Sequence, residues 1–206
     1  MKKLVFTLTS LLFAVSVQAT NLTEGKQYVT LNQAPAQQAE VIEFFSFYCP
    51  HCYSFEYEYH IPTKVAQQLP EGVALQQYHV NFLGGEMGKN LTRAWALAMA
   101  MGAQDKVKEP LFLAAQRNQL RSMDDIRQLF LRNGISAEQF DGGINSFAVT
   151  ALTNKQVKAA EHFNVRGVPD FYVNGRYRVN PEGLNNDSHG AFVTDYVETV
   201  KGLLQK

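Results

Sequence analysis

The chain has 206 residues, 46% of them apolar and 18% charged, with 19 basic against 19 acidic groups. That is too much core-forming material for a disordered chain, and enough to bury one large core or two small ones. Lys2 and Lys3 are two of the 19 basic residues, so from residue 20 onward 17 basic groups face 19 acidic ones. A balance of −2 excludes electrostatic capture of nucleic acid as the expected task.

The first segment reads as an export signal. Lys2 and Lys3 give a basic start, Leu4 to Val17 is apolar apart from Thr7, Thr9, Ser10 and Ser16, and Val17-Gln18-Ala19 has the small-x-small form of a cleavage site. Residues 1–19 are therefore predicted to be a signal peptide cleaved after Ala19. A membrane anchor would need about 18 to 20 unbroken apolar residues, and no later segment offers them. The mature chain is expected to be soluble and outside the cytoplasm.

Val41-Ile42-Glu43-Phe44-Phe45 predicts a strand buried on both faces. After Ser46-Phe47-Tyr48 the period changes. Cys49 suits an N-cap and Pro50 the first helical position, where a missing N–H costs nothing, and Tyr53, Phe55, Glu56 and Tyr59 continue as a helix. A turn at Leu69-Pro70-Glu71-Gly72 leads into an extended run from Val73 to Val80, which Gly84-Gly85 ends. Helices are predicted from Asn90 to Met101, stopping at Gly102, and near Asp105 to Asn118. Ser122 with Asp125 forms a capping box for a third, which stops at Gly134. Ser136 with Gln139 caps a short one, and Asn145 to Phe163 reads as a long one. Phe171-Tyr172-Val173 and Arg176-Tyr177-Arg178-Val179 flank Asn174-Gly175, a strong hairpin signal. Phe192, Val193, Tyr196, Val197, Val200 and Leu204 then recur at helical spacing. Trp95, Met99 and Met101 read as core of the helical block, and His79 and His162 as structural.

An exported protein that relied on disulfides for stability would carry several, whereas this one has Cys49 and Cys52 alone, two residues apart. So small a loop restricts the unfolded chain little, which favours a chemical role. Haem attachment would need His directly after the second cysteine, where Tyr53 stands. A structural zinc needs four ligands, and His60, His79, His162 and His189 show no paired spacing, so no metal is expected. Thiol redox chemistry remains. Unpaired N–H groups and the dipole at the helix start favour an anion, so the Cys49 thiolate is expected to be stabilised. His51 can add a ring N–H or a cation to the same sulfur. Cys52, one turn inward, is expected to be more buried and to act as the resolving thiol.

The segment Phe44-Phe45-Ser46-Phe47-Tyr48-Cys49-Pro50-His51-Cys52-Tyr53, followed by Tyr78-His79-Val80-Asn81-Phe82 and Arg166-Gly167-Val168-Pro169, resembles the DsbA family of bacterial periplasmic thiol:disulfide oxidoreductases. The resemblance covers essentially the whole mature chain. It implies an α/β, thioredoxin-like fold with an inserted all-helical domain: residues 20–81 and 157–206 form the first and second parts of the fold, and 82–156 the insertion. It implies that the Val168–Pro169 bond is cis and faces the cysteines, offering the backbone of Val168 to an extended client peptide. It implies catalysis by the Cys49–Cys52 disulfide without a separate cofactor, donated to reduced, newly exported proteins. Reoxidation would come from a DsbB-like inner-membrane quinone reductase, and a monomer is expected. Stabilising the reduced state makes the disulfide a better oxidant, a linkage of which DsbA enzymes are themselves a standard illustration.

Glu43 lies among apolar residues, where burial raises a carboxyl pKa toward neutrality. Like the matching glutamate of the family, it is expected to pass protons to or from Cys52 through water. Two positions depart from the family pattern. Its acid is often paired with a lysine on the next strand, where this chain has Gln77. Asp170 follows the cis-proline candidate where a small residue is common, and it is expected to repel acidic clients. The alternatives are a periplasmic reductase or isomerase of the same fold, and a peptide-binding holdase with no redox chemistry. A dimeric isomerase would be expected to place a dimerisation domain before the redox domain, and residues 20–48 alone separate the leader from Cys49.

Overall fold

The computed structural model describes residues 21–206. The leader expected over residues 1–19, with its cleavage after Ala19, lies outside them.

The all-apolar run around Glu43 forms β2 (Val41–Phe45), and all five of its residues are buried. That burial follows from its place inside a mixed sheet of order β1-β5-β4-β2-β3, with β1 at Tyr28–Thr30, β3 at Leu75–His79, β4 at Asp170–Val173 and β5 at Tyr177–Val179. β2 runs parallel to β3, which sets Glu43 against Gln77, and antiparallel to β4, which sets it against Phe171. β4 and β5 form the expected hairpin, with Asn174 and Gly175 at φ 52° and 66°. Positive φ at both positions matches the right-handed twist of the flanking strands. The edge strand β1 is an addition to the elements predicted.

The helix after Cys49 is shorter than predicted. α1 covers Pro50–Tyr57, the chain turns at His60 in a left-handed conformation (φ 54°), and α2 (Ile61–Gln68) begins with Pro62 in its first turn. A proline without an N–H fits a helix start, not its middle. α3 (Gly85–Met101) begins five residues before the predicted Asn90. Gly88 lies within its first turns because a Cβ there would stand 2.0 Å from the Leu83 carbonyl oxygen. The Gly-Gly pair is thus a helix entrance, not a break.

α4 (Gln104–Gln116), α5 (Met123–Arg132), α6 (Ala137–Gly143) and α7 (Phe147–His162) complete an all-helical block inserted between β3 and β4. Both predicted capping boxes are present, at Ser122–Asp125 and Ser136–Gln139. α7 runs unbroken through residues 156 and 157, so the expected limit of the insertion falls within a helix. α8 (His189–Leu204) closes the chain against the sheet, burying Val193, Tyr196, Val197, Val200 and Leu203.

Trp95 is buried in the helical block as predicted, and its indole N–H donates to the Gln77 carbonyl at 2.8 Å. Phe45, Phe47 and Phe112 meet in one aromatic cluster with ring centroids 4.9–5.8 Å apart. Phe112 comes from α4 and the other two from β2 and the segment after it, so the insertion shares a core with the strand that leads to the cysteines.

Candidate active site

Cys49 caps α1 from an extended backbone (φ −93°, ψ 114°), with Pro50 as the first helical residue. Its sulfur accepts the Cys52 backbone N–H at 3.2 Å, satisfying a donor that has no partner inside the helix. Both cysteines are free thiols. The Cys49 thiol is pulled down to about 7, first by a hydrogen bond from the Cys52 thiol and then by the backbone N–H groups of Cys52 and His51, against burial that pushes it up. Cys52 moves the other way. Burial raises its thiol far above the ordinary range, and the neighbouring Cys49 sulfur raises it further. Two sulfurs one turn apart are thereby divided, the outer one readily ionised and the inner one holding its proton.

The partner thiol thus acts most strongly on Cys49, burial opposes it, and the backbone N–H groups of the helix start add smaller stabilisation. The donor His51 brings to the sulfur is its backbone N–H, while its exposed side chain lines the adjoining groove.

The Val168–Pro169 bond is cis, and the loop it shapes faces Cys49, whose thiol donates to the Val168 carbonyl at 3.2 Å. Beside the pair opens a groove of about 880 Å³, walled by Phe55, Tyr59, Phe192, Val168 and Pro169 with His51 and Arg178 at its polar margin. Asp170 corrects an expectation. It is 3% exposed, accepts from Arg178 Nε at 2.9 Å and from the Tyr172 hydroxyl at 2.9 Å. Its charge is spent on Arg178, which stands at the margin of the groove, and it presents no acid to a client.

Beneath Cys52, Glu43 is 1% exposed. Burial, aided by the nearby Glu56, pushes its carboxyl up to about 8, while Gln77 and Lys108 pull it down. Gln77 Nε2 donates to Glu43 at 2.7 Å and to Glu56 at 2.9 Å, and Lys108 from α4 donates to Gln77 Oε1 at 2.8 Å and to Glu56 at 3.0 Å. Glu56 and Lys108 escaped the sequence reading, because their partners lie 21 to 52 residues away along the chain. The available signal was a lysine beside the buried positions Val107 and Leu111 of α4.

His79 is structural, as expected. Its ring stacks on Phe47 at 5.0 Å, its Nδ1 meets Thr92 Oγ1 at 2.9 Å, and burial pushes its pKa down to about 3. His162 is exposed, and its carbonyl accepts from Gln33 at 2.6 Å. Among the described residues no group of three or more His, Cys, Asp or Glu side chains could hold a metal, and no helix is long and apolar enough to cross a membrane.

Residues 40–197 match the DSBA-like thioredoxin domain. The chain belongs to the DsbA-like thioredoxin family. It is 66% identical to the thiol:disulfide interchange protein DsbA of Haemophilus influenzae and 48% identical to that of Escherichia coli, in each case over the full length of both chains. Among solved structures it is similar to DsbA of Proteus mirabilis, with a TM-score of 0.85 and 42% identity over 90% of this chain and 98% of that one. A second Proteus DsbA structure, holding a non-covalently bound peptide PWATCDS, gives a TM-score of 0.86 at 41% identity over 91% and 100%. The fold is the thioredoxin-like fold of DsbA with its helical insertion, and the DsbA-type activity is that of a thiol:disulfide oxidoreductase.

Proposed function

We propose that this DsbA-family chain is a periplasmic protein disulfide oxidase that donates a Cys49–Cys52 disulfide to reduced, newly exported proteins. The observation that carries the reading is the division between the two sulfurs: Cys49 caps α1 and accepts the Cys52 N–H at 3.2 Å, which holds its thiol down, while Cys52 is buried one turn inward, which pushes its thiol up. A good donor must make Cys49 the better leaving group, and a sulfur whose thiolate is stable leaves easily.

In the first step a client thiolate attacks Cys49, forming a client–Cys49 bond and breaking the Cys49–Cys52 bond. The electron pair stays on Cys52, which takes up a proton. Glu43, with a carboxyl that exchanges protons near neutrality, supplies it through water. In the second step another client thiolate attacks the client sulfur, closes the client disulfide and expels Cys49 as its thiolate. Val168 and Pro169 hold the client backbone, and the apolar walls of the groove accept varied side chains. The Proteus DsbA that holds a non-covalently bound peptide PWATCDS, which contains a cysteine, supports peptide binding by this fold. Pro50 and His51 tune the thiolate from within the motif.

The chain works as a monomer through its own cysteines, without a further cofactor and without binding nucleic acid. It is exported by a leader cleaved after Ala19 and is reoxidised by a DsbB-like inner-membrane partner. The test is to equilibrate the protein with glutathione buffers and follow the Cys49–Cys52 couple. An oxidase requires a couple more oxidising than the glutathione pool, and a more reducing couple refutes the reading. Cys49→Ser must also abolish oxidation of a reduced client.

A further inference from the structure

Strand β3 offers no cation beside Glu43, since the position in register with it is Gln77. The cation comes instead from the helical block. Lys108 Nζ lies 2.8 Å from Gln77 Oε1 and 3.0 Å from Glu56 Oε1, and 5.9 Å from the centre of the Trp95 ring. Its side chain is 12% exposed and that of Glu56 is 11%, so neither is a surface group free to wander.

An ammonium carries donors only, so the Gln77 atom that faces it is the carbonyl oxygen. That choice fixes the other end of the amide. Nε2 must then point at the two carboxylates, and its two hydrogens are divided between Glu43 at 2.7 Å and Glu56 at 2.9 Å. Reversed, the amide would aim its oxygen at Glu43, an arrangement that only a protonated carboxyl satisfies. The Trp95 indole, bonded to the Gln77 carbonyl at 2.8 Å, holds the backbone of the same residue in place.

We propose that Lys108 is a positioning residue of the redox site: by locking the Gln77 amide with its NH2 toward Glu43, it holds that carboxyl toward its ionised form. This deepens, and rests on, the reading of Glu43 as the proton carrier for Cys52. The groups facing Glu43 are Gln77 on β3, Cys49 at the N-cap of α1, Cys52 and Glu56 on α1, Lys108 on α4 and the Tyr196 hydroxyl on α8. Gln77 and Lys108 are the ones that favour its charge.

The experiment is a carbon-13 NMR titration of the Glu43 carboxyl in the oxidised mature protein, where Cys49 has no proton to lose. Lys108→Met is expected to raise the Glu43 midpoint by about one pH unit, and Lys108→Arg to leave it in place. In a Gln77→Met background, which has no amide to lock, Lys108→Met is expected to move the midpoint less than half as far. Equal shifts in both backgrounds would mean a direct charge effect and overturn the lock, as would no shift in either. The unsubstituted protein supplies a second reading that needs no variant to fold. Its Gln77 side-chain amide protons must move with the Glu43 titration, and amide signals indifferent to it overturn the proposal. The pH profile of Cys52 attack on a mixed disulfide separates the two claims. A Glu43 midpoint that follows Lys108 while the profile stays fixed upholds the lock and removes the proton role. A profile that depends on Glu43 with a midpoint indifferent to Lys108 does the reverse.

Discussion

Raising the pH from 6 to 8 is expected to stabilise the reduced protein relative to the oxidised one. The folded Cys49 thiol ionises at about 7, against an ordinary thiol value of 9.0. An acid with a lowered folded pKa contributes stability that is complete above its unfolded value and is lost as the pH falls through the folded one. The slope is about 1.4 kcal/mol per pH unit and acts chiefly between pH 7 and 8, so the gain over this range is about 1 kcal/mol once solvent screening at the helix end is allowed for. In the oxidised form the sulfur has no proton to lose, and this slope is absent. The raised Cys52 thiol opposes the effect only above the ordinary thiol range, which is why the comparison stops at pH 8. Glu43 titrates in both forms and cancels, apart from its small interaction with Cys49. For a chain of this size 1 kcal/mol corresponds to about 2–4 °C. Calorimetry of the reduced and oxidised protein at pH 6, 7 and 8 should therefore show the gap in Tm widening by that amount, and Cys49→Ala, which has no thiol to ionise at that position, should follow the pH dependence of the oxidised protein. A gap that stays constant or narrows as the pH rises would refute the argument for a stabilised thiolate.

Glu43→Gln should stabilise the protein against urea by an amount that grows from pH 5 to 8, reaching about 2–3 kcal/mol, because a raised carboxyl costs stability above its ordinary value of 4.5; a pH-independent difference would contradict the buried-acid assignment. Phe112→Ala removes a ring that packs on Phe47, Tyr53 and Tyr57 and should cost about 3–5 kcal/mol in denaturant unfolding, with faster alkylation of Cys52. Gly88→Ala should destabilise severely, since its Cβ would meet the backbone oxygen of Leu83 at 2.0 Å. Gly142→Ala, where a Cβ meets nothing within 4 Å, should be neutral or stabilising by up to about 1 kcal/mol in thermal unfolding.

What the sequence disclosed is what local physics decides. The Val41–Phe45 run, the Asn174-Gly175 turn and the Ser122–Asp125 and Ser136–Gln139 caps each carry their cause within a few residues, and all are present. β1 stayed hidden because three residues at a sheet edge are ordered by pairing with β5, a segment some 150 residues away. The break between α1 and α2 was equally silent, since His60 takes a left-handed conformation without the glycine or asparagine that usually announces one. At the site, Cys49 and Pro50 were legible from the helix-start pattern. The chain beneath them was not: Gln77 looked like a missing lysine, and the cation that answers it stands on another element. Asp170 was misread for the same reason, because Arg178 reaches it across the β4–β5 hairpin.

The aromatic cluster around Phe45, Phe47 and Phe112 ties the protein's chemistry to its mechanics. The helical insertion is a wall of the redox chamber, so it cannot loosen without wetting the inner sulfur that it keeps dry. Local unfolding of that wall and exposure of the Cys52 sulfur become one event. The rate at which a small alkylating reagent reaches Cys52 would then serve as a gauge of the insertion's integrity, thirty or more residues from the bond that reacts.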